Sequence, residues 1–135
     1  MKTRRYVLLL GSSLDTPQAL EDARAALAMH GLLEVASARV EGPSVNPADA
    51  RRFHNQAVAL ATGLPREALV ATLKQIETAL GRTPQAAQCV IDIDLACECD
   101  AHGIVLWRDD AKLGHPLFVD LMQNVLDQLR GTALA

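Results

Sequence analysis

Asp92 and Asp94 stand two residues apart in the run Ile91-Asp92-Ile93-Asp94-Leu95. In an extended strand, residues i and i+2 share a face, so the two carboxylates project side by side while Ile91, Ile93 and Leu95 turn the other way into a core. Two unit charges about 5.5 Å apart repel by roughly 3 kcal/mol at an effective dielectric of about 20, and by less where water reaches them. A cation between them removes the problem. Magnesium suits the pair because it takes a few carboxylates and keeps its other positions for water and substrate phosphates. Phosphoryl transfer is the chemistry that follows. Taken alone, the same pattern is more often a solvated strand face.

The elements that must hold such a pair can be read from apolar spacing. Tyr6 to Leu10 is a short apolar run that stops at Gly11-Ser12-Ser13, which fits a central strand and a tight loop. Thr16-Pro17 opens a helix with Leu20, Ala23 and Leu27 on one face, ended by Gly31. Leu33, Val35 and the residues around Val40 read as an extended segment up to Gly42-Pro43, and Ser44 to Arg52 reads as a surface loop. Phe53 to Ala61 is a strand, and Leu69, Leu73, Ile76 and Leu80 form the stripe of a second helix that Gly81 stops. Val90 to Cys99 is the clearest strand: Ile91, Ile93, Leu95 and Cys97 are expected on one face, and Asp92, Asp94, Ala96 and Glu98 on the other. A short strand at 104–107 and a final helix at about 118–129 complete the chain. The order strand, helix, strand, strand, helix, strand predicts an α+β, ferredoxin-like antiparallel sheet, with helices packed on one face plus a C-terminal helix.

Composition narrows the partners. The 135 residues are expected to form one domain, 1–135, large enough for a core without disulfides or metal staples. Only four residues are aromatic, Tyr6, Phe53, Trp107 and Phe118, so Leu, Ala and Val must fill the interior. A formal net charge of -3 lacks the basic excess of a nucleic-acid binder. The apolar run after Met1-Lys2-Thr3-Arg4-Arg5 is too short for an export signal, and no stretch approaches the ~18 apolar residues of a membrane span. A cytoplasmic monomer is expected, with neither nucleic acid nor membrane as partner. Cys89, Cys97 and Cys99 make an odd count that reads as inert thiols in a reducing compartment, and His102 completes no zinc pattern with them.

Several segments together carry a resemblance. They are Gly11-Ser12-Ser13-Leu14, Phe53-His54-Asn55-Gln56-Ala57-Val58-Ala59-Leu60, Ile76-Glu77, Gly81-Arg82 and Ile91-Asp92-Ile93-Asp94-Leu95, each on the matching structural element. From about Tyr6 to Leu121 the chain resembles the 6-hydroxymethyl-7,8-dihydropterin pyrophosphokinases as a divergent member. The resemblance implies Mg-dependent transfer of pyrophosphate from ATP to the hydroxymethyl-dihydropterin in folate biosynthesis. It implies that Asp92 and Asp94 bind magnesium, with two ions bridging the ATP phosphates and the pterin hydroxymethyl group. It also implies a pterin stacked by Phe53 and Phe118 and read by Asn55 and the Gly42-Pro43 segment, and ATP near Glu77, Arg82 and His115, with Arg82 also in a catalytic role. Rings suit a flat heterocycle, and an amide offers both donor and acceptor to its edge. Phe53 alone would equally serve as a core aromatic.

The resemblance also has gaps. Family members carry further arginines and a tryptophan between Gly-Arg and the acidic strand, where Thr83 to Val90 is short and uncharged. The arginine just before that strand and the basic residue between His115-Pro116 and Phe118 are missing, Ser13 stands where asparagine is usual, and Asp15 where glycine is common. Lys74, Arg108 and Lys112 are the candidate replacements for positive charge. Two further readings follow: a catalytically weak or inactive relative that binds a pterin or nucleotide, and a ferredoxin-like oligomerisation or regulatory module.

Overall fold

The computed structural model describes residues 2–134, with side chains through Thr132. In β1 (Arg4–Ser12) every residue from Tyr6 to Leu10 is buried, as a strand covered on both faces requires. α1 (Gln18–Leu27) starts just after Thr16-Pro17, where Pro17 C=O accepts the Leu20 N–H at 3.0 Å, and it buries Leu20, Ala23 and Leu27 as their spacing predicts. The extended segment expected up to Pro43 is divided into β2 (Leu32–Ala36) and β3 (Val40–Pro43). The break falls where Ser37 turns inward, donating its N–H to Ala57 O and accepting the Ala57 N–H on Oγ, both at 2.9 Å. β4 (Arg52–Thr62) pairs with both pieces. α2 (Arg66–Ala79) buries Leu69, Leu73 and Ile76, and Gly81, at φ +102°, takes the left-handed turn that ends it. β5 (Asp92–Cys99), β6 (Val105–Arg108) and α3 (Pro116–Leu134) follow.

The sheet runs β2-β4-β1-β5-β6, with β3 also on β4 and every pair antiparallel. This is a ferredoxin-like α+β fold with an extra edge strand. α1 and α2 cover one face, over Tyr6, Leu8, Leu10, Val58 and Leu60. The C-terminal helix takes the other face: Leu121, Val125 and Leu129 of α3 lie over Val7, Leu9, Ala57 and Ala59. α3 is started by His115, whose Nδ1 accepts the Leu117 N–H at 3.1 Å, with Pro116 at the first helical position where its missing donor costs nothing.

One expectation for β5 is overturned. Val7 pairs with Cys97 but Leu8 pairs with Leu95, so Ala96 is an extra residue in a bulge. Past the bulge the faces exchange. Ile91, Ile93 and Leu95 pack under α1 and α2, whereas Ala96, Cys97 and Cys99 pack under α3. Glu98 is thereby carried to the α2 side, where Arg4 Nε at 3.0 Å and Arg66 Nε at 3.5 Å neutralise it. Without the bulge its carboxylate would lie beneath apolar α3, where an unpaired charge costs on the order of several kcal/mol. Cys97 and Cys99 are free and buried, and burial pushes their thiols up to about 11 and about 12, which leaves them protonated and unreactive.

Leu126→Ala, cut from the buried face of α3, is expected to lower the unfolding free energy by about 2–5 kcal/mol in a urea titration. Leu106→Ala on exposed β6 is expected to change it by no more than about 0.5 kcal/mol. Equal losses in both would show that α3 is not a true third layer.

Candidate functional site

β1, β4 and β5 bring their chemistry to the same end of the sheet. Gly11 pairs with Asn55 on β4 and Asp92 on β5, and Leu9 pairs with Asp94. A cavity of about 200 Å³ opens there, lined by Gly11, Phe53, Asn55, Asp92, Asp94 and Phe118 among others. That is small beside typical ligand pockets of ~300–1,000 Å³, and suited to one compact ring system. A Cβ at Gly11 would sit 3.1 Å from Asn55 Oδ1, so the glycine leaves room for that amide. Asn55 is only 7% exposed, and its side chain lines this cavity. Its amide carries both a donor and an acceptor to the cavity wall.

The other side of the carboxylates is a polar cleft of about 290 Å³, lined by Lys74, Glu77, Arg82, Trp107 and Lys112 with Asp92 and Asp94. β6 pairs with β5 only at Cys97–Cys99, which leaves the start of β5 open on this edge. Glu77 of α2 fills the gap by accepting the Ile93 N–H at 2.7 Å, and Arg82 Nη1 bridges Glu77 Oε2 at 3.1 Å and Asp92 Oδ1 at 2.8 Å. Lys112 Nζ lies 3.1 Å from Asp94 Oδ1. Burial pushes the Glu77 carboxyl up, against the pull of the Ile93 N–H and the Arg82 charge. Burial, reinforced by the Asp92 charge, raises the Asp94 carboxyl to about 6 despite the Lys112 hydrogen bond. Hydrogen bonding to Asp94 raises the Lys112 ammonium in turn, so near neutral pH the two form an ion pair.

The residues singled out from the sequence divide accordingly. Phe53, Asn55 and Phe118 line the smaller cavity, Glu77 and Arg82 line the polar cleft, and Asp92 and Asp94 belong to both. Gly42 and Pro43 sit in β3, opposite Phe53 and Arg52, and it is the next two residues, Ser44 and Val45, that line the cavity. His115 lines neither space; besides starting α3, its ring stands edge-on to Phe118 at 6.3 Å between centroids. Of the candidate replacement cations, Lys74 and Lys112 line the cleft, whereas Arg108 is paired with Asp110 at 2.8 Å.

Arg51 was not foreseen as a site residue. Its guanidinium stands 5.2 Å from the Phe53 ring centroid, is held by Asp49 at 2.7 Å and reaches Ala87 O at 3.5 Å. It therefore ties the loop after β3 to the segment before β5, above the aromatic wall of the cavity. These hydrogen bonds hold the Asp49 carboxyl down at about 2. The only trace in the sequence is the opposite-charge spacing Asp49-x-Arg51, a weak signal.

Two carboxylates are the donors available to a metal here, and no group of three or more His, Cys, Asp or Glu side chains is gathered among the described residues. That set does not make a self-sufficient metal cage. It fits an ion such as magnesium, which keeps most of its coordination for water and substrate phosphates.

Residues 7–122 match the family model described as 7,8-dihydro-6-hydroxymethylpterin-pyrophosphokinase, most of the 135-residue chain. The chain belongs to that family. No curated protein matches it. Membership in the pyrophosphokinase family agrees with the resemblance carried by the five segments, and the fold places all five around the same end of the sheet. No described helix is long and apolar enough to cross a membrane.

The raised Asp94 carboxyl has a consequence for stability in the absence of divalent ions. Folding lifts it from 3.8 to about 6, so its contribution is fully present below the unfolded value and is lost as pH rises through about 6. Asp94→Asn removes that dependence. Urea titrations in a chelator should show the variant gaining on the parent by on the order of 2 kcal/mol between about pH 4 and about pH 7.5. A constant difference between the two proteins across that range would refute the raised value.

Proposed function

We propose that the protein transfers a diphosphate group from ATP to the hydroxymethyl oxygen of 6-hydroxymethyl-7,8-dihydropterin, releasing AMP, with magnesium as the required ion. The observation that carries this reading is the shared wall: Asp92 and Asp94 line both a small cavity with two aromatic rings and a cleft with three cations. A heterocycle in the first and a triphosphate in the second would meet at the carboxylates.

Phe53 and Phe118 offer ring faces and edges to the pterin, and the Asn55 amide offers a donor and an acceptor to its polar edge. Lys74, Arg82 and Lys112 supply positive charge to the phosphates, and Glu77 holds Arg82 in place. An open groove of about 730 Å³ shares Val70, Leu95 and Trp107 with the cleft and gives the nucleoside end somewhere to lie. In the reaction the hydroxymethyl oxygen forms a bond to the β-phosphorus as the bridge to the α-phosphate breaks. The hydroxyl proton is lost and AMP leaves with the bridging oxygen. Magnesium, when bound, neutralises phosphate charge and polarises the oxygens it touches. The protein's own share is to orient: a fixed pair of substrates converts a bimolecular encounter into an intramolecular one. A monomer in the reducing cytoplasm fits this role and the three free cysteines.

One observation favours a second reading, a relative that binds pterin or nucleotide with little or no turnover. The segment Thr83 to Val90 brings no charged side chain to the cleft, and a positioned arginine at a transferring phosphoryl group contributes about 10³–10⁵ in rate.

Incubation with magnesium, ATP and the hydroxymethyl-dihydropterin should yield AMP and the pterin diphosphate in equal amounts. Asp94→Ala should abolish both products, and Asn55→Leu should weaken pterin binding by about 10-fold to 100-fold, as expected for lost hydrogen bonds in a buried site. Binding of both ligands without AMP would favour the second reading. Failure of the pterin to bind would overturn the first reading, and failure of both the pterin and the nucleotide would overturn both.

A further inference from the structure

Each carboxylate of the pair has a cation of its own. Arg82 serves Asp92 and Lys112 serves Asp94. The two cations are anchored differently. Arg82 is shared with Glu77, a second and largely buried acid, whereas Asp94 is the one acidic partner of Lys112 among the described residues. The Lys112 backbone is fixed. Asp109 Oδ1 accepts the amide N–H of Ala111 at 3.0 Å and of Lys112 at 3.3 Å, Asp109 N–H donates to Ala96 O at 2.9 Å, and Leu113 next to it is buried. Its side chain is 48% exposed, so the four-carbon stem has water to swing through.

A divalent ion that takes Asp94 competes with that ammonium for the same oxygens and is repelled by it at short range. The balance changes once a polyphosphate lies in the cleft, because the displaced ammonium then has a new anion within reach of its stem. Lys74 lines the same cleft but forms no ion pair among the described residues, so it can attract phosphate without opposing an ion on Asp94.

We propose that Lys112 is a resident counter-cation of Asp94 that couples divalent-ion binding to nucleotide binding, opposing the ion in the empty cleft and assisting it when a polyphosphate is present. The inference rests on the reading that Asp92 and Asp94 take an ion together with ATP. Linkage makes the effect reciprocal: the ion and the nucleotide each raise the other's affinity by the same factor.

The test is a set of equilibrium titrations with no turnover. Free Mn²⁺ is followed by its spin-resonance signal and an ATP analogue with a methylene bridge between the α- and β-phosphates by calorimetry, each alone and in the presence of the other. Lys112→Met should bind Mn²⁺ alone about five-fold tighter than the parent, and the mutual enhancement between ion and analogue should shrink by at least a similar factor. Lys112→Arg should keep the enhancement, and Lys74→Met should weaken the analogue while leaving Mn²⁺ alone unchanged. If the parent binds both ligands and Lys112→Met binds Mn²⁺ no tighter than the parent, this inference is wrong and the functional reading stands. If the parent binds neither the ion nor the analogue, both are wrong.

Discussion

Two negative charges held side by side on a rigid strand constrain everything around this site. Asp92 and Asp94 cannot move apart, because Ile91, Ile93 and Leu95 are locked into the core between and beside them. Their repulsion therefore has to be met from outside the strand. The protein meets part of it with Arg82 and Lys112; burial, with what remains of the Asp92 repulsion added to it, keeps the Asp94 carboxyl raised to about 6 with an ammonium 3.1 Å away. A strand that merely kept a sheet soluble would let water screen such charges. Here a cavity and a cleft flank them, and the turn after α2 and the loop before α3 both send cations to them.

The bulge at Ala96 is the second half of the same constraint. Upstream of it, β5 must turn its carboxylates toward the α3 side to face the cavity with Phe118. Downstream, Glu98 on an unbroken alternation would be carried under α3 with them. One extra residue reverses the faces between the two needs, so Asp94 reaches the cavity and Glu98 reaches Arg4 and Arg66. Arg66 then stands 4.4 Å from the Trp107 ring centroid, which ties the floor of the open groove to the same ion pair. The functional end of β5 and its structural end are thus separated by a single backbone irregularity.

The order of elements was legible because long apolar stripes and Gly or Pro stops are local signals: Leu20-Ala23-Leu27, Leu69-Leu73-Ile76 and the run before Gly11 all appear where their spacing predicts. The bulge was not, since Ala96 and Cys97 are both small and apolar and fit either face. What decides the register is the distant pairing of Glu98, and no local pattern contains it. The two acids were legible from strand spacing, whereas Phe53, Asn55, Phe118, Glu77 and Arg82 were singled out by the resemblance; all lie on or next to regular elements that line the cavity or the cleft. Ser44, Val45 and Arg51 lie in the loop after β3, whose path depends on tertiary contacts. His115 shows the opposite difficulty: a His-Pro pair is also a good helix start, and here the demand of α3 for an acceptor accounts for its Nδ1.

If a triphosphate binds in the cleft as proposed, the segment before β5 explains where the positive charge for it must come from. Ser13 donates its N–H to Cys89 O at 2.9 Å, accepts the Cys89 N–H on Oγ at 2.7 Å and donates that hydroxyl to Gln88 Oε1 at 2.6 Å, while Arg51 reaches Ala87 O. The C-terminal half of the segment is thereby tied to the loop after β1 and to the loop after β3. A strip tied in this way, without a charged side chain of its own, is poorly suited to deliver cations to a triphosphate by closing over it. Lys74 on α2, Arg82 at its end and Lys112 in the loop braced by Asp109 are carried instead by parts of the fold that α2, β5 and α3 hold in place. Charge set on a fixed frame needs less rearrangement when substrate arrives, but it also gives up the interactions that only closure would add. On the proposed reading, the stem of Lys112, half exposed, is the part of that frame with room to follow the phosphates.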